Sequence, residues 1–149
     1  MNFTALLVVM LVLCCWTAAV VEGKKEKMCL MAVEIPMRDG VKLHTCFDFP
    51  KLWIKGEAKL DAVIDRSPYG AGKTELVADV FLDDGYVAVR QDMRGTFASG
   101  GTFTMWANAA NDSYDTMEFI SHQDWSTGQM FSVGASADGL AGFAESKDS

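Results

Sequence analysis

The sequence predicts an α/β protein with a largely parallel sheet. Three observations carry that prediction. Two alternating apolar runs flank an Asp-Gly pair near the start, which is a strong hairpin signal. Apolar runs suited to strands then alternate with stretches of helical periodicity, an order that implies right-handed crossovers between parallel strands. Near the end, Met130-Phe131-Ser132-Val133 leads into Gly134, Ser136 and Gly139, as a strand does when it turns sharply into a helix with a serine at the tip.

The first stretch is set apart from the fold. Phe3 to Val21 is almost unbroken apolar sequence, followed by Glu22-Gly23 and the basic cluster Lys24, Lys25 and Lys27. Small residues at Thr17-Ala18-Ala19 and Val21-Glu22-Gly23 offer cleavage points, so residues 1–23 read as a signal peptide and the protein as secreted. The alternative is an uncleaved membrane anchor over residues 3–21, since no basic residue precedes the run and its length just spans a bilayer. The remaining chain suits one domain of ordinary size. The whole sequence carries a net charge of −7, with Lys and Arg scattered outside one short cluster, which argues against a nucleic-acid partner. Cys14 and Cys15 leave with the leader, and Cys29 and Cys46 remain. Two cysteines without a nearby histidine pair make no zinc site, and no cofactor is implied.

Each element follows in order. Met31–Met37 and Val41–Phe49 are the paired strands of the hairpin. With Asp39 and Gly40 as a two-residue loop, Val33 faces Cys46. Cys29 then lies about 13 Å along the strand from that partner position. A disulfide needs Cα atoms within roughly 7 Å, so both thiols are expected to be free. Leu60–Arg66 is a third strand, ended by Ser67-Pro68-Tyr69-Gly70. Thr74 reads as the N-cap of a helix over Glu75–Asp83, terminated at Gly85. Tyr86–Arg90 is a fourth strand, suited to burial on both faces. A loop rich in Gly, Ser and Thr spans Arg94–Thr104, with Gly100 and Gly101 as punctuation. Asp112 or Ser113 caps a second helix reaching about His122, with Tyr114, Met117, Phe119 and Ile120 on its apolar side. Trp125-Ser126-Thr127-Gly128 turns into the fifth strand.

Motif and topology agree. In an α/β-hydrolase the nucleophile follows the fifth strand and the oxyanion hole draws on the loop after the third. Those positions hold Ser136 and Ser67-Pro68-Tyr69-Gly70. The expected fold is thus an α/β-hydrolase fold cut short after the nucleophile elbow, with an N-terminal β-hairpin, a mostly parallel sheet and flanking helices.

The same blocks resemble the cocaine-esterase-like and X-prolyl dipeptidyl-peptidase-like serine hydrolases of the α/β-hydrolase superfamily. The likeness is carried by Val33 through Leu43 around Arg38-Asp39-Gly40, by Arg66-Ser67-Pro68-Tyr69-Gly70, and by Gly85-Tyr86-Val87-Ala88-Val89 running into Asp92-Met93-Arg94-Gly95. It continues in Tyr114-Asp115-Thr116, Trp125-Ser126-Thr127-Gly128 and Gly134-Ala135-Ser136-Ala137-Asp138-Gly139. The blocks cover residues 24–149 almost throughout, as the N-terminal part of a catalytic domain.

The resemblance implies that Ser136 is the acyl-accepting nucleophile, and that the Tyr69 hydroxyl and the Ala137 backbone N–H form the oxyanion hole. It implies ester, amide or X-Pro dipeptide substrates. Asp92 and Arg94 read as architecture at a strand end. The family usually places Tyr directly after the nucleophile, where this chain has Ala137, a change that bears on pocket shape. Asp138 beside the elbow suits either solvent or a helix cap.

A serine hydrolase of this fold takes its acid and base from after the nucleophile. Thirteen residues follow Ser136 and none is His; the histidines are His44 and His122, both at positions that read as structural. The expectation is an incomplete serine hydrolase, inactive as written. The alternative is a hydrolase-like secreted interaction module without catalysis.

Overall fold

The computed structural model describes residues 29–71 and 80–134. The leader, most of the helix expected over 75–83, Ser136, Ala137 and Asp138 lie outside the described residues. Five strands form one sheet: β1 (Met31–Pro36), β2 (Lys42–Asp48), β3 (Leu60–Ser67), β4 (Val87–Asp92) and β5 (Ser126–Ser132). Their spatial order is β1-β2-β4-β3-β5. β1, β2 and β4 pair antiparallel, whereas β3 pairs in parallel with both β4 and β5. The hairpin thus forms one edge of a sheet whose remaining strands run parallel, as the alternation of elements requires.

One helix, α1 (Ala109–Ser121), is described in full. It begins earlier than the sequence suggests, with Asn108 at its N-cap and no side-chain capping bond. Asp112 and Ser113 lie inside the first turns and are buried. Asp112 is occupied by an arginine, so its carboxylate is withdrawn from capping. Residues 80–83 are helical and close at Gly85, whose N–H donates to the Leu82 carbonyl at 3.2 Å.

The two faces of β4 explain the layering. All six of its residues are buried. Alternation puts Val87, Val89 and Gln91 on one face and Ala88, Arg90 and Asp92 on the other. Val87 and Val89 join Ile35, Leu43, Phe47, Ile64, Ile120 and Trp125 in the apolar core under α1. Gln91 reaches the Thr45 and Thr116 hydroxyls at 2.9 Å each, which ties β2 and α1 across that core. The opposite face carries charge instead.

The hairpin departs from its expected register. Ala32 faces Cys46 and Pro36 faces Lys42, one residue off a two-residue loop. Met37 N–H donates to the Val41 carbonyl at 2.7 Å, which leaves Arg38, Asp39 and Gly40 as a three-residue loop with Gly40 in the left-handed region. The Asp39 carboxylate accepts the Val41 N–H at 3.1 Å and stabilises this wider turn.

The expectation of free thiols is overturned as well. Cys29 and Cys46 form a disulfide with Cα atoms 5.3 Å apart. The strand begins only at Met31, and Leu30 bends so that its N–H donates to the Asp48 carboxylate at 3.2 Å. Cys29 therefore turns back across β2 rather than continuing along β1.

β5 also begins sooner than expected. Ser126, Thr127 and Gly128 belong to the strand, and the register against β3 shifts between Leu60 and Ala62. Trp125 is buried just before it and packs edge-on against Phe47 and Phe49.

A peptide map of the non-reduced, folded protein should contain the Cys29–Cys46 link. Replacing both cysteines by serine should cost about 3 kcal/mol for a loop of this size, read as a shift in denaturant midpoint. Separate alkylated peptides from unreduced protein would contradict the pairing.

Candidate active site

The parallel strands bring two of the site's approach segments side by side. Ser132 of β5 lies opposite Ile64 of β3, and Val133 N–H donates to the Ile64 carbonyl at 2.9 Å. The chain then reaches Gly134, two residues short of Ser136. β3 runs on from Ile64 to Ser67 and into the turn that carries Tyr69. Neighbouring strands are about 4.8 Å apart, so the Tyr69 turn and the approach to Ser136 leave the same end of the sheet on adjacent strands. Ser136 and Ala137 themselves lie outside the described residues. Tyr69 is 54% exposed, and its side chain sits at the surface beyond the strand end.

The Tyr69 turn is held from beneath by Ser67, Asp92 and Arg90; the sequence marked Asp92 as strand-end architecture but passed over Arg90 and its partner Asp48. The Tyr69 N–H donates to the buried Ser67 hydroxyl at 3.1 Å. Two residues on, Ala71 is gripped at both of its main-chain groups. Its N–H donates to Asp92 at 2.6 Å, and its carbonyl accepts from the Arg90 guanidinium at 2.6 Å. Arg90 also pairs with Asp48 at 2.6 Å, with both side chains almost wholly buried. The second Asp92 oxygen accepts the Ala98 N–H at 3.2 Å, and the Asp92 carbonyl accepts the Ser99 hydroxyl at 2.7 Å. Asp92 thus joins the Tyr69 turn to the loop after β4.

That loop lies close against its neighbours. Gly70 has φ +103°, and a Cβ there would stand 3.2 Å from the Phe97 ring, so both backbone angle and space favour glycine. Gly95 is still more constrained: with φ +72°, a Cβ would come within 2.1 Å of the Phe103 backbone nitrogen.

A second ionic cluster anchors the hairpin to α1. Arg94 bonds Asp112 at 2.6 Å and Asp39 at 2.7 Å, bridging the helix and the three-residue loop. Arg38 bonds Asp115 at 2.8 Å, reaches Asn111 at 3.0 Å and lies over the Tyr114 ring. Arg66 donates to Gln91 at 2.8 Å and to the Ala109 carbonyl at 2.9 Å. The Arg38-Asp39-Gly40, Asp92–Gly95 and Tyr114-Asp115 blocks meet here through these contacts, and Arg94 sits among them as a bridge between elements. The two histidines have local partners: His44 bonds Glu34 at 2.9 Å on the hairpin, and His122 bonds the Glu118 carbonyl at 2.8 Å at the helix end.

These contacts set the titration of the surface cluster. The hydrogen bond from Arg94 holds Asp39 below the ordinary carboxyl range, and that from Arg38 does the same for Asp115. Arg94 is correspondingly raised, chiefly by its hydrogen bond to Asp112.

Comparison with known proteins bears on this arrangement. The sequence pattern of the X-Pro dipeptidyl-peptidase (S15) family matches residues 39–147. The chain belongs to that family. Among curated proteins this S15 chain is 33% identical over 114 residues to the cocaine esterase of Rhodococcus sp. (strain MB1 Bresler), matching 72% of its own length and 19% of the esterase. It therefore spans about a fifth of that relative. Among solved structures, an alpha-amino acid ester hydrolase superposes with a TM-score of 0.66 at 29% identity, over 83% of this chain and 25% of the other. An aminopeptidase from the marine sediment archaeon Thaumarchaeota archaeon gives a TM-score of 0.66 at 27% identity, over 76% and 22%. A CocE/NonD family hydrolase from Staphylococcus aureus shares the fold, with a TM-score of 0.67 at 21% identity over 76% and 24%. The sheet of the S15 chain is thus a portion of an α/β-hydrolase fold.

Arg94→Ala should cost about 3 kcal/mol, because it strips a buried carboxylate of its 2.6 Å partner and leaves Asp112 only the 4.0 Å approach of Arg66. Denaturant unfolding reads this directly. Asp39 and Asp115 bind protons less readily folded than unfolded. Their contribution is present above the ordinary value of 3.8 and lost as pH falls below it. Arg38→Met should therefore flatten the loss of stability below about pH 4, and an unchanged acid limb would contradict this.

Proposed function

We propose that this chain is the N-terminal part of the catalytic domain of a secreted serine hydrolase that cleaves esters or amides, X-Pro dipeptides among them, through an acyl-enzyme on Ser136. In this reading the Tyr69 hydroxyl and the Ala137 backbone N–H receive the negative charge that develops on the substrate carbonyl. The triad acid and base are supplied by polypeptide outside residues 1–149.

The observation that carries the reading is the delivery of the Tyr69 turn and the approach to Ser136 from adjacent parallel strands in a member of the S15 family. A serine hydroxyl at neutral pH is a weak nucleophile until a base takes its proton. The attacking oxygen forms the new bond to the carbonyl carbon, and the proton passes to the base and then to the leaving group. The oxyanion is stabilised by donors fixed in advance, each worth ~3 kcal/mol or more in acyl transfer. Tyr69 suits that part because its hydroxyl is an O–H donor on a turn held rigidly from below.

Export is supported by the Cys29–Cys46 pair. These cysteines lie beyond the expected cleavage points, and a disulfide persists in oxidising compartments.

A fluorophosphonate probe applied to the full natural polypeptide should label Ser136, as located by peptide mass spectrometry, and Ser136→Ala should abolish both labelling and ester hydrolysis. Tyr69→Phe should lower kcat by roughly a hundredfold with little change in KM. Residues 1–149 alone should turn over a p-nitrophenyl ester no faster than the Ser136→Ala variant. Labelling at a different serine would overturn the assignment. Turnover by the short chain that depends on Ser136 would show that it recruits a base of its own.

A further inference from the structure

We propose that Arg90 and Asp92 are positioning residues for the Tyr69 hydroxyl: by gripping both main-chain groups of Ala71, they fix the turn that presents it. This rests on the oxyanion role proposed for Tyr69.

The grip is unusual for a surface turn. Such turns ordinarily close on their own backbone or on water. Here the Ala71 N–H and carbonyl each meet a charged side chain at 2.6 Å, and those side chains come from the same face of one strand, two residues apart. Arg90 is 1% exposed and Asp92 is 3% exposed. Burying charge is expensive, and well-packed apolar residues in place of a buried ion pair are often neutral or stabilising. Stability alone therefore does not explain three charged groups, Asp48, Arg90 and Asp92, in the middle of the sheet. Control of geometry does.

Asp48 holds Arg90 through the Nε and Nη2 nitrogens at 3.1 and 2.6 Å, which aims the remaining Nη1 at the Ala71 carbonyl. The two Asp92 oxygens divide between Ala71 and Ala98. The Tyr69 turn and the loop carrying Phe97 are thereby held against one support, and the Phe97 ring closes over Gly70. Tyr69, two residues before Ala71 and anchored to Ser67 on its other side, sits between two fixed points. An oxyanion donor needs this, because a displacement near 1 Å in a positioned group lowers rate by as much as a hundredfold.

The test is a double-substitution cycle in the full natural polypeptide, assayed on an ester substrate with every variant held well below its own melting temperature. Asp92→Asn turns an amide N–H₂ toward one of the two N–H donors it must serve. Arg90→Lys keeps the charge beside Asp48 but loses the fork that reaches Ala71. Each is expected to lower kcat roughly ten- to a hundredfold with KM nearly unchanged. In the Tyr69→Phe background the same changes should lower kcat no more than about twofold, since the group they position is already gone.

Equal losses in both backgrounds, or losses confined to KM and melting temperature, would overturn the proposal. If Tyr69→Phe itself leaves kcat unchanged, the oxyanion role fails and the positioning role fails with it. If Asp92→Asn does not fold, Arg90→Lys decides the question alone.

Discussion

The guanidinium of Arg90 is the interaction on which the rest depends. It lies in the middle of β4, paired with Asp48 of β2 and bonded to the Ala71 carbonyl beyond the end of β3. One side chain thus links three strands across the face of the sheet opposite α1. Removing either partner of so deeply buried a pair is strongly destabilising, because the remaining charge has no water to turn to. The arrangement also extends outward. Asp48 receives the Leu30 N–H, which folds the chain back where Cys29 meets Cys46. On the other side, Asp92 fixes the turn and loop at the carboxyl end of the parallel strands.

Around this buried charge lies a wider ionic frame. Arg94 leaves the end of β4 and joins the hairpin loop to α1 through Asp39 and Asp112. Gln91 does the corresponding task inside the core, reaching Thr45 and Thr116. Three successive polar residues, Arg90, Gln91 and Asp92, thus point alternately to the two faces of β4, Arg94 follows past its end, and each finds a partner outside the strand. A strand with this composition would be implausible at an apolar centre without those partners. It is tolerated because every one of these charged groups meets a carboxylate, a guanidinium or a main-chain group within 3.2 Å.

The fold class, the succession of the five strands along the chain and the largely parallel character of the sheet were legible in the sequence because they follow from alternation of apolar runs. The hairpin register was not. Asp-Gly favours a two-residue loop, but the Asp39 carboxylate bonds Val41 and salt-bridges Arg94, and these contacts settle on three residues. The disulfide was lost with that register, and with the assumption that β1 extends back through Cys29. The early start of α1 was hidden because Asp112 is a good cap by type and its distant arginine is invisible to local pattern. For the site, the turn at Tyr69 and the approach to Ser136 could be read as motifs. Asp92 was legible as architecture at a strand end, whereas Arg90 and Asp48 could have been found only by asking why charged residues interrupt buried strands.

Native-state hydrogen exchange at the Ala71 amide tests the account most directly. This N–H lies past the end of β3, in a turn where exchange is ordinarily fast. If Asp92 and Arg90 clamp it as described, its protection should match that of β4 core amides such as Val89, and Asp92→Asn should lower it selectively while Val89 stays protected. Exchange at Ala71 as fast as in an open loop would contradict the claim that buried charge on β4 holds the turn that presents Tyr69.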